Sequence, residues 1–421
     1  MKMTLEDTWS VSGSSLDGFK ETVKEMALHT KHIRTTGDML TILSDAAESG
    51  YAKDPEMTYL WELNNETLAL FRRTGKLNPV KVKNTASITD SVTRSGMLIK
   101  FDLFGKTIPL GVSQMAITTM CTRAKVGGDK ISQPSLGRDI DIAELLTSGD
   151  TEMTLVIRDD GENSKLFACM SAKYSPIPMT LLSDIADQLT SDAALGNAIC
   201  TGWYVDHSIT DCYIEFPEAG KDLAASYGLS VDVIPGVMLS SSDTGDSSVS
   251  IRGTYRVKGC RSFVTTEEVR VRHIGSATPA EVVKMVKEEI FKRLRSLPEA
   301  LAEKIGLRIT PASLDLKDPA GRKENFKCVK KAIKLGSKKL GVVKAIGKKR
   351  EKELLECLYA TIDESSVFTQ YDIAMLYLTL GDKVAGLGRA ATLKLSKALA
   401  DAAFISYIDE PEEGDELYLV A

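Results

Sequence analysis

The chain has 421 residues, of which 43% are hydrophobic, 26% charged and 6% aromatic, with a formal net charge of −5. That composition excludes a fibrous or intrinsically disordered protein and allows two or three domains, or one large domain with an appendage. No uncharged apolar stretch approaches the roughly 20 residues a membrane span needs, and the seven cysteines are scattered without a CxxC pair.

The N-terminus, Met1 to Asp7, has neither the apolar run nor the cleavage site of a signal peptide, so a cytoplasmic protein with reduced, mostly buried thiols is expected. From Ser15 to Tyr51 the apolar residues Phe19, Val23, Met26 and Ala27, then Met39, Leu40, Ile42, Leu43 and Ala46, are spaced as on two amphipathic helices. Residues 1–79 are therefore read as a helical segment.

An α+β core is expected over 80–305. Leu98 to Phe104 and Thr107 to Leu110 read as strands, followed by a helix carrying Met115, Ile117, Met120 and Cys121. Met153–Arg158 and Lys165–Met170, joined by Asp159-Asp160-Gly161-Glu162-Asn163, form a hairpin pattern. Leu181, Leu182, Ile185 and Leu189 make one helical stripe, and a second hairpin is expected within Ile199–Phe216, turning at Asp206-His207-Ser208.

Three strands then follow within Val231–Ile274. Alternation along Val249–Val257 places Arg252, Thr254, Arg256 and Lys258 on one face and Ile251, Tyr255 and Val257 on the other, so one sheet face is expected to be basic. Thr278-Pro279-Ala280-Glu281 has the form of a helix start, with the helix running to about Ser296. The fold class expected is α+β, with a mainly antiparallel central sheet flanked by helices and a helical C-terminal region.

The most informative segment is Arg322–Lys352. It holds thirteen Lys or Arg against only Glu324 and Glu351, a local charge of +11 that leaves −16 on the rest of the chain. Val329, Ile333, Gly336, Leu340, Val343 and Gly347 form a narrow apolar seam through it, broken by glycines. Region 306–408 is thus basic and helical, with helical spacing again at Leu354, Leu355 and Leu358, at Ile373–Leu380 and at Ala390–Phe404; 409–421 is an acidic tail.

No reaction is named by these residues. Gly336-Ser337-Lys338-Lys339-Leu340-Gly341 has the glycine spacing of a phosphate loop, but Val342-Val343 replaces its Lys-Ser/Thr. His207 with Asp206, Asp211, Cys212 and Glu215 matches no metal-ligand spacing and reads as a polar turn. Ser240–Gly245 is hydroxyl-rich and reads as a turn between strands. No catalytic residue, metal or cofactor is expected.

Segregated positive charge points to a polyanion partner. Arg252, Arg256, Lys258, Arg270 and Arg272 are expected to line a groove. Lys330, Lys331, Lys334, Lys338, Lys339, Lys344, Lys348, Lys349 and Arg350 are expected to clamp a strand, with single-stranded DNA the favoured partner and the acidic tail a contact for a protein.

Several short elements, in this order, resemble a phage- and plasmid-associated family designated domain of unknown function nine-three-two. They are Ser171-Ala172-Lys173-Tyr174, Pro235-Gly236-Val237 with Ser242-Asp243-Thr244-Gly245, the strand Tyr255-Arg256-Val257, and Tyr371-Asp372. The chain departs from that family at Gly259-Cys260-Arg261-Ser262. The resemblance implies a mobile-element origin and carries over no catalytic residue. The function expected is nucleic-acid binding in phage or plasmid recombination or replication; the alternative is a phage structural or assembly protein. Oligomeric state is left open.

Overall fold

The computed structural model describes residues 3–46, 54–103, 106–127, 134–147, 151–192, 197–218, 233–245, 249–257, 264–271, 313–315, 334, 347–361 and 367–369. Seven helices and sixteen strands occur among them. The α+β class holds, with the strands divided between two large, mostly antiparallel sheets and a small pair.

The six-stranded sheet has the order β1 (Ser10–Gly13), β10 (Ile199–Asp206), β11 (Thr210–Glu215), β12 (Val233–Ser241), β13 (Val249–Val257), β14 (Val264–Val271). All its neighbours are antiparallel. One face carries Trp203, Val205, Cys212, Ile214, Val237, Leu239 and Ile251, which pack in one core with α1 (Leu16–Leu28) and α6 (Thr180–Ser191). Helix α1 begins where Ser15 Oγ accepts from Gly18 N, and its stripe of Phe19, Val23 and Met26 is fully buried.

The eight-stranded sheet runs β2 (Thr30–Thr36), β8 (Glu152–Asp159), β9 (Ser164–Ser171), β7 (Lys106–Val112), β6 (Met97–Leu103), β3 (Leu40–Asp45), β4 (Met57–Leu63), β5 (Pro79–Lys83). Only β7 and β9 pair in parallel. Ile42, Ile99, Leu110, Leu155 and Ile157 share a core with Ile117, Met120, Ile142 and Leu146 from α4 (Gln114–Ala124) and α5 (Leu136–Thr147). On the opposite face, Leu43, Leu60 and Leu98 meet Ile88 of α3 (Ala86–Ser95). Helix α2 (Asn65–Thr74) starts with a reciprocal Asn64–Thr67 capping box and ends at left-handed Gly75.

The N-terminal 79 residues are not a helical segment. They supply four strands, the first residue of a fifth and two α-helices, and pairings of β1 with β10, β2 with β8 and β3 with β6 weave them into both sheets. The stretch Leu40–Asp45 is a strand rather than a helix because Leu40, Ile42, Leu43 and Ser44 are all buried. A strand covered on both faces loses its alternation and mimics the apolar spacing of a helix.

The expected hairpins and the helices at 114–124 and 180–191 are present. Helix α7 (Lys348–Thr361) begins after Gly347, whose φ is 81°, and β15 (Ser313–Asp315) pairs with β16 (Val367–Thr369). The helices expected at 278–296 and 373–404 and the tail at 409–421 lie outside the described residues, as does 329–346 apart from the helical Lys334.

Gly236, at the centre of β12, tests how tightly the six-stranded sheet is closed. A Cβ there would collide with the Ile214 carbonyl oxygen, 3.0 Å from Thr254 Oγ1 and 3.3 Å from Glu215 Cα. Backbone cannot swing aside as a side chain can, so Gly236→Ala should destabilise the protein by about 1–3 kcal/mol, read as a lower urea midpoint.

Candidate functional site

The strongest concentration of chemistry among the described residues is a buried ionic cluster where the two sheets meet. Arg158 is next to last in β8 and Lys165 second in β9; they stand directly opposite each other in the ladder, and both side chains are 0% exposed. Two like charges so placed repel, and without acids they would not stay buried.

The acids come from three distant segments. Asp243, just after β12, takes Arg158 Nη2 at 2.6 Å; Asp7 takes Lys165 Nζ at 2.8 Å; Asp90 of α3 takes it at 2.6 Å. Asp7 also accepts from Gln114 N and so caps α4. Burial works against ionised Asp90, but hydrogen bonds from Lys165 and Arg94 overturn that and hold its carboxyl below the usual range.

His207, in the turn between β10 and β11, completes the cluster. Arg158 Nη1 donates to its carbonyl at 2.8 Å and lies 3.0 Å from its Nδ1. Burial, reinforced by the Arg158 charge, pushes His207 down to about 2, so the ring is neutral. A neutral ring facing a guanidinium must accept at Nδ1, which leaves Nε2–H to donate to the Thr4 carbonyl at 2.9 Å. His207 is therefore a structural bridge.

Phe167 lies beneath these groups, its ring centroid 4.8 Å from Arg158 Cζ, 6.0 Å from Lys165 Nζ and 4.1 Å from the His207 ring. The β8–β9 ladder skips Phe167, which alternates with its strand neighbour Leu166 and points into the core of the six-stranded sheet. Tyr174 donates to the Asp243 carbonyl at 2.9 Å, and burial raises its phenol. The Ser240–Thr244 segment, read from sequence as a turn, is buried throughout and delivers Asp243. The cluster fixes how the sheets meet and, being buried, presents no surface to a substrate.

A second buried pair lies under α5. Arg138 Nε meets Asp139 Oδ1 at 2.7 Å, Ser44 Oγ donates to Asp139 Oδ2 at 2.7 Å, and Arg138 Nη2 donates to the Ser95 carbonyl at 2.6 Å. Asp45 and Leu136, close by in sequence, line an open cleft of about 500 Å³ with Trp61, Phe71, Lys76 and Leu77.

The residues expected from sequence to bind a strand are distributed differently. Arg252 is half-buried on β13, alternating with core residues Val249 and Ile251 as expected. Its register partners are Met238 and Glu268; Arg256 pairs with Ile234 and Arg270 with Ser250. The ladder also puts Asp211 and Glu215 in register with the Ser240–Ser250 and Gly236–Thr254 pairs flanking Arg252, so acids share that side of the sheet. Lys334, Lys348 and Lys349 are exposed, and Arg350 lies in the first turn of α7. Lys258, Arg272, Lys330, Lys331, Lys338, Lys339 and Lys344 lie outside the described residues.

Fold and cluster together define an α+β protein of two sheets stitched by buried charge. No protein-family model, no curated protein and no solved structure matches the chain. Among the described residues no helix is long and apolar enough to cross a membrane, and no group of His, Cys, Asp and Glu is arranged to hold a metal ion.

Proposed function

We infer that this chain is a nucleic-acid-binding protein of a phage or plasmid, acting in the host cytoplasm by electrostatic capture of a strand, single-stranded DNA in the first instance, during recombination or replication. The observation that carries this reading is the +11 charge of Arg322–Lys352 in a chain of net −5. Solubility alone asks for no such segregation in a protein already strongly acidic elsewhere.

The start of α7 supports it. Lys348, Lys349 and Arg350 crowd the first turn against the single acid Glu351, with Lys352 just beyond, where the helix dipole favours anions. Lys352 reaches Glu356 only at 3.9 Å, with both side chains mostly exposed, and such a pair contributes little. A phosphate there would relieve both the mutual repulsion and the dipole conflict.

Labelled single-stranded oligonucleotides should bind at low salt and weaken steeply as salt rises, with a log–log slope of about −0.7 per phosphate neutralised. Replacing Lys338, Lys339, Lys348, Lys349 and Arg350 together by glutamine should flatten that slope by roughly three units and weaken all sequences alike. Indifference to DNA and RNA at low salt would overturn the reading and favour a particle or assembly protein, checked by co-sedimentation with virions.

A further inference from the structure

Cys200 and Cys212 sit on the adjacent strands β10 and β11 with their sulfurs 3.8 Å apart. Their meeting depends on one irregularity. Trp203 pairs with Cys212 and Cys200 with Ile214, and the ladder skips Thr201 between Cys200 and Gly202. In a regular pleat, residues three apart point to opposite faces, so Cys200 would face away from Trp203 and Cys212. The bulge restores it to the core side, where Cys200 packs against the cluster holding Trp203, Cys212 and Ile214.

The two thiols are unequal. Cys212 is 0% exposed, while Cys200 is only partly buried at the cluster's margin. Hydrogen bonding from the Cys212 thiol holds Cys200 below the usual thiol range against the opposing effect of burial. That same hydrogen bond, together with burial, raises Cys212. An accessible, more acidic thiol backed by a buried one is the arrangement of an attacking and a resolving cysteine. Cys121 and Cys169, also free, are both buried, and burial pushes Cys169 up to about 12.

We propose that Cys200 and Cys212 are a redox-responsive pair, a dithiol that closes to a cross-strand disulfide by exchange with a low-molecular-weight disulfide such as oxidised glutathione. The Cys200 thiolate attacks one glutathione sulfur; the S–S bond breaks and a glutathione thiolate leaves. Cys212, deprotonated, then attacks Cys200 Sγ in the mixed disulfide and expels the second glutathione thiolate. The protein's two thiol protons end on the two departing thiolates, and the two electrons lost by the protein reduce one glutathione disulfide to two thiols. Closure draws the sulfurs from 3.8 Å to the roughly 2.05 Å of a disulfide. Cys200 sits at the bulge beside Trp203, whose indole donates to the Ser15 carbonyl at 2.8 Å and ties β10 to the start of α1. The device is independent of the nucleic-acid reading.

The test is peptide mapping of the native full-length protein after incubation with oxidised glutathione, an acid quench, and alkylation with N-ethylmaleimide in denaturant. Trypsin releases both cysteines in one peptide, Tyr174 to Lys221, because no Lys or Arg lies between them. The expected result is that this peptide loses the mass of two hydrogens and takes no maleimide. Cys212→Ala should stop at a single glutathione adduct on Cys200, and Cys200→Ala should take neither bridge nor adduct. The wild-type map needs no variant to fold and decides alone. Two maleimides on the wild-type peptide, a stable adduct without a bridge, or a bridge to any other cysteine would each overturn the proposal.

Discussion

Asp243→Ala is expected to lower stability by about 3–5 kcal/mol, the largest effect of any single change considered, because it strands a charge rather than merely removing a contact. Arg158 has no route to solvent, and Asp243 is the one carboxylate that the described geometry places against it, at 2.6 Å. Its remaining partners, the His207 carbonyl and Nδ1 and the Thr30 hydroxyl at 3.3 Å, are neutral acceptors. They orient the guanidinium without neutralising it. The cost should appear as a lower urea midpoint with an unchanged denaturant slope.

Arg158→Met combined with Asp243→Leu should recover most of that loss, since a buried ion pair is often no more stabilising than apolar groups of similar volume. The double variant separates two roles of the cluster. If it regains stability and the sheets still meet as before, the charges confer nothing that packing cannot. If it remains as unstable as Asp243→Ala, the hydrogen bonds of Arg158 to the His207 turn are themselves required, while the coupling energy from the full cycle gives the size of the Arg158–Asp243 interaction alone.

The cluster was hard to read from sequence for a definite reason. Arg158 and Lys165 flank the hairpin turn Asp159–Asn163, where charge ordinarily marks a solvated loop; the turn itself was legible, with Asp160 Oδ1 accepting from Glu162 N and Asn163 N and Gly161 at a φ of 91°. Local pattern supplies that much. It does not show that partners 85 and 75 residues away in sequence, Asp243 and Asp90, close over the two cations. The same limit left the burial of the Ser240–Thr244 turn unread, because small hydroxyl residues suit a loop and a tightly packed interior equally. Strand β3 was misread for the opposite reason, its double burial erasing the alternation that identifies half-buried strands such as β13. The charge asymmetry at Arg322–Lys352 needs no tertiary information at all, which is why it still carries the functional reading.

Asp139 provides a pH-dependent test of the second buried pair. Burial pushes its carboxyl from the ordinary 3.8 up to about 6, more than Arg138 and Ser44 offset. Arg138 is an incomplete counterweight because its Nη1 meets no acceptor and its Nη2 is committed to the Ser95 carbonyl. A carboxyl raised in the folded state binds its proton more tightly there than in the unfolded chain. Its contribution is thus fully present below pH 3.8 and is lost as pH rises through about 6. At about 1.4 kcal/mol per unit the swing is at most about 3 kcal/mol. Asp139→Asn cannot titrate, so the stability of the wild type relative to this variant should fall by up to that amount between about pH 4 and about pH 8. The fixed offset between them reflects how an amide packs against Arg138 and does not bear on the sign. A difference that instead grew with pH would mean that the Arg138 charge outweighs burial and that the pair is most stable fully ionised.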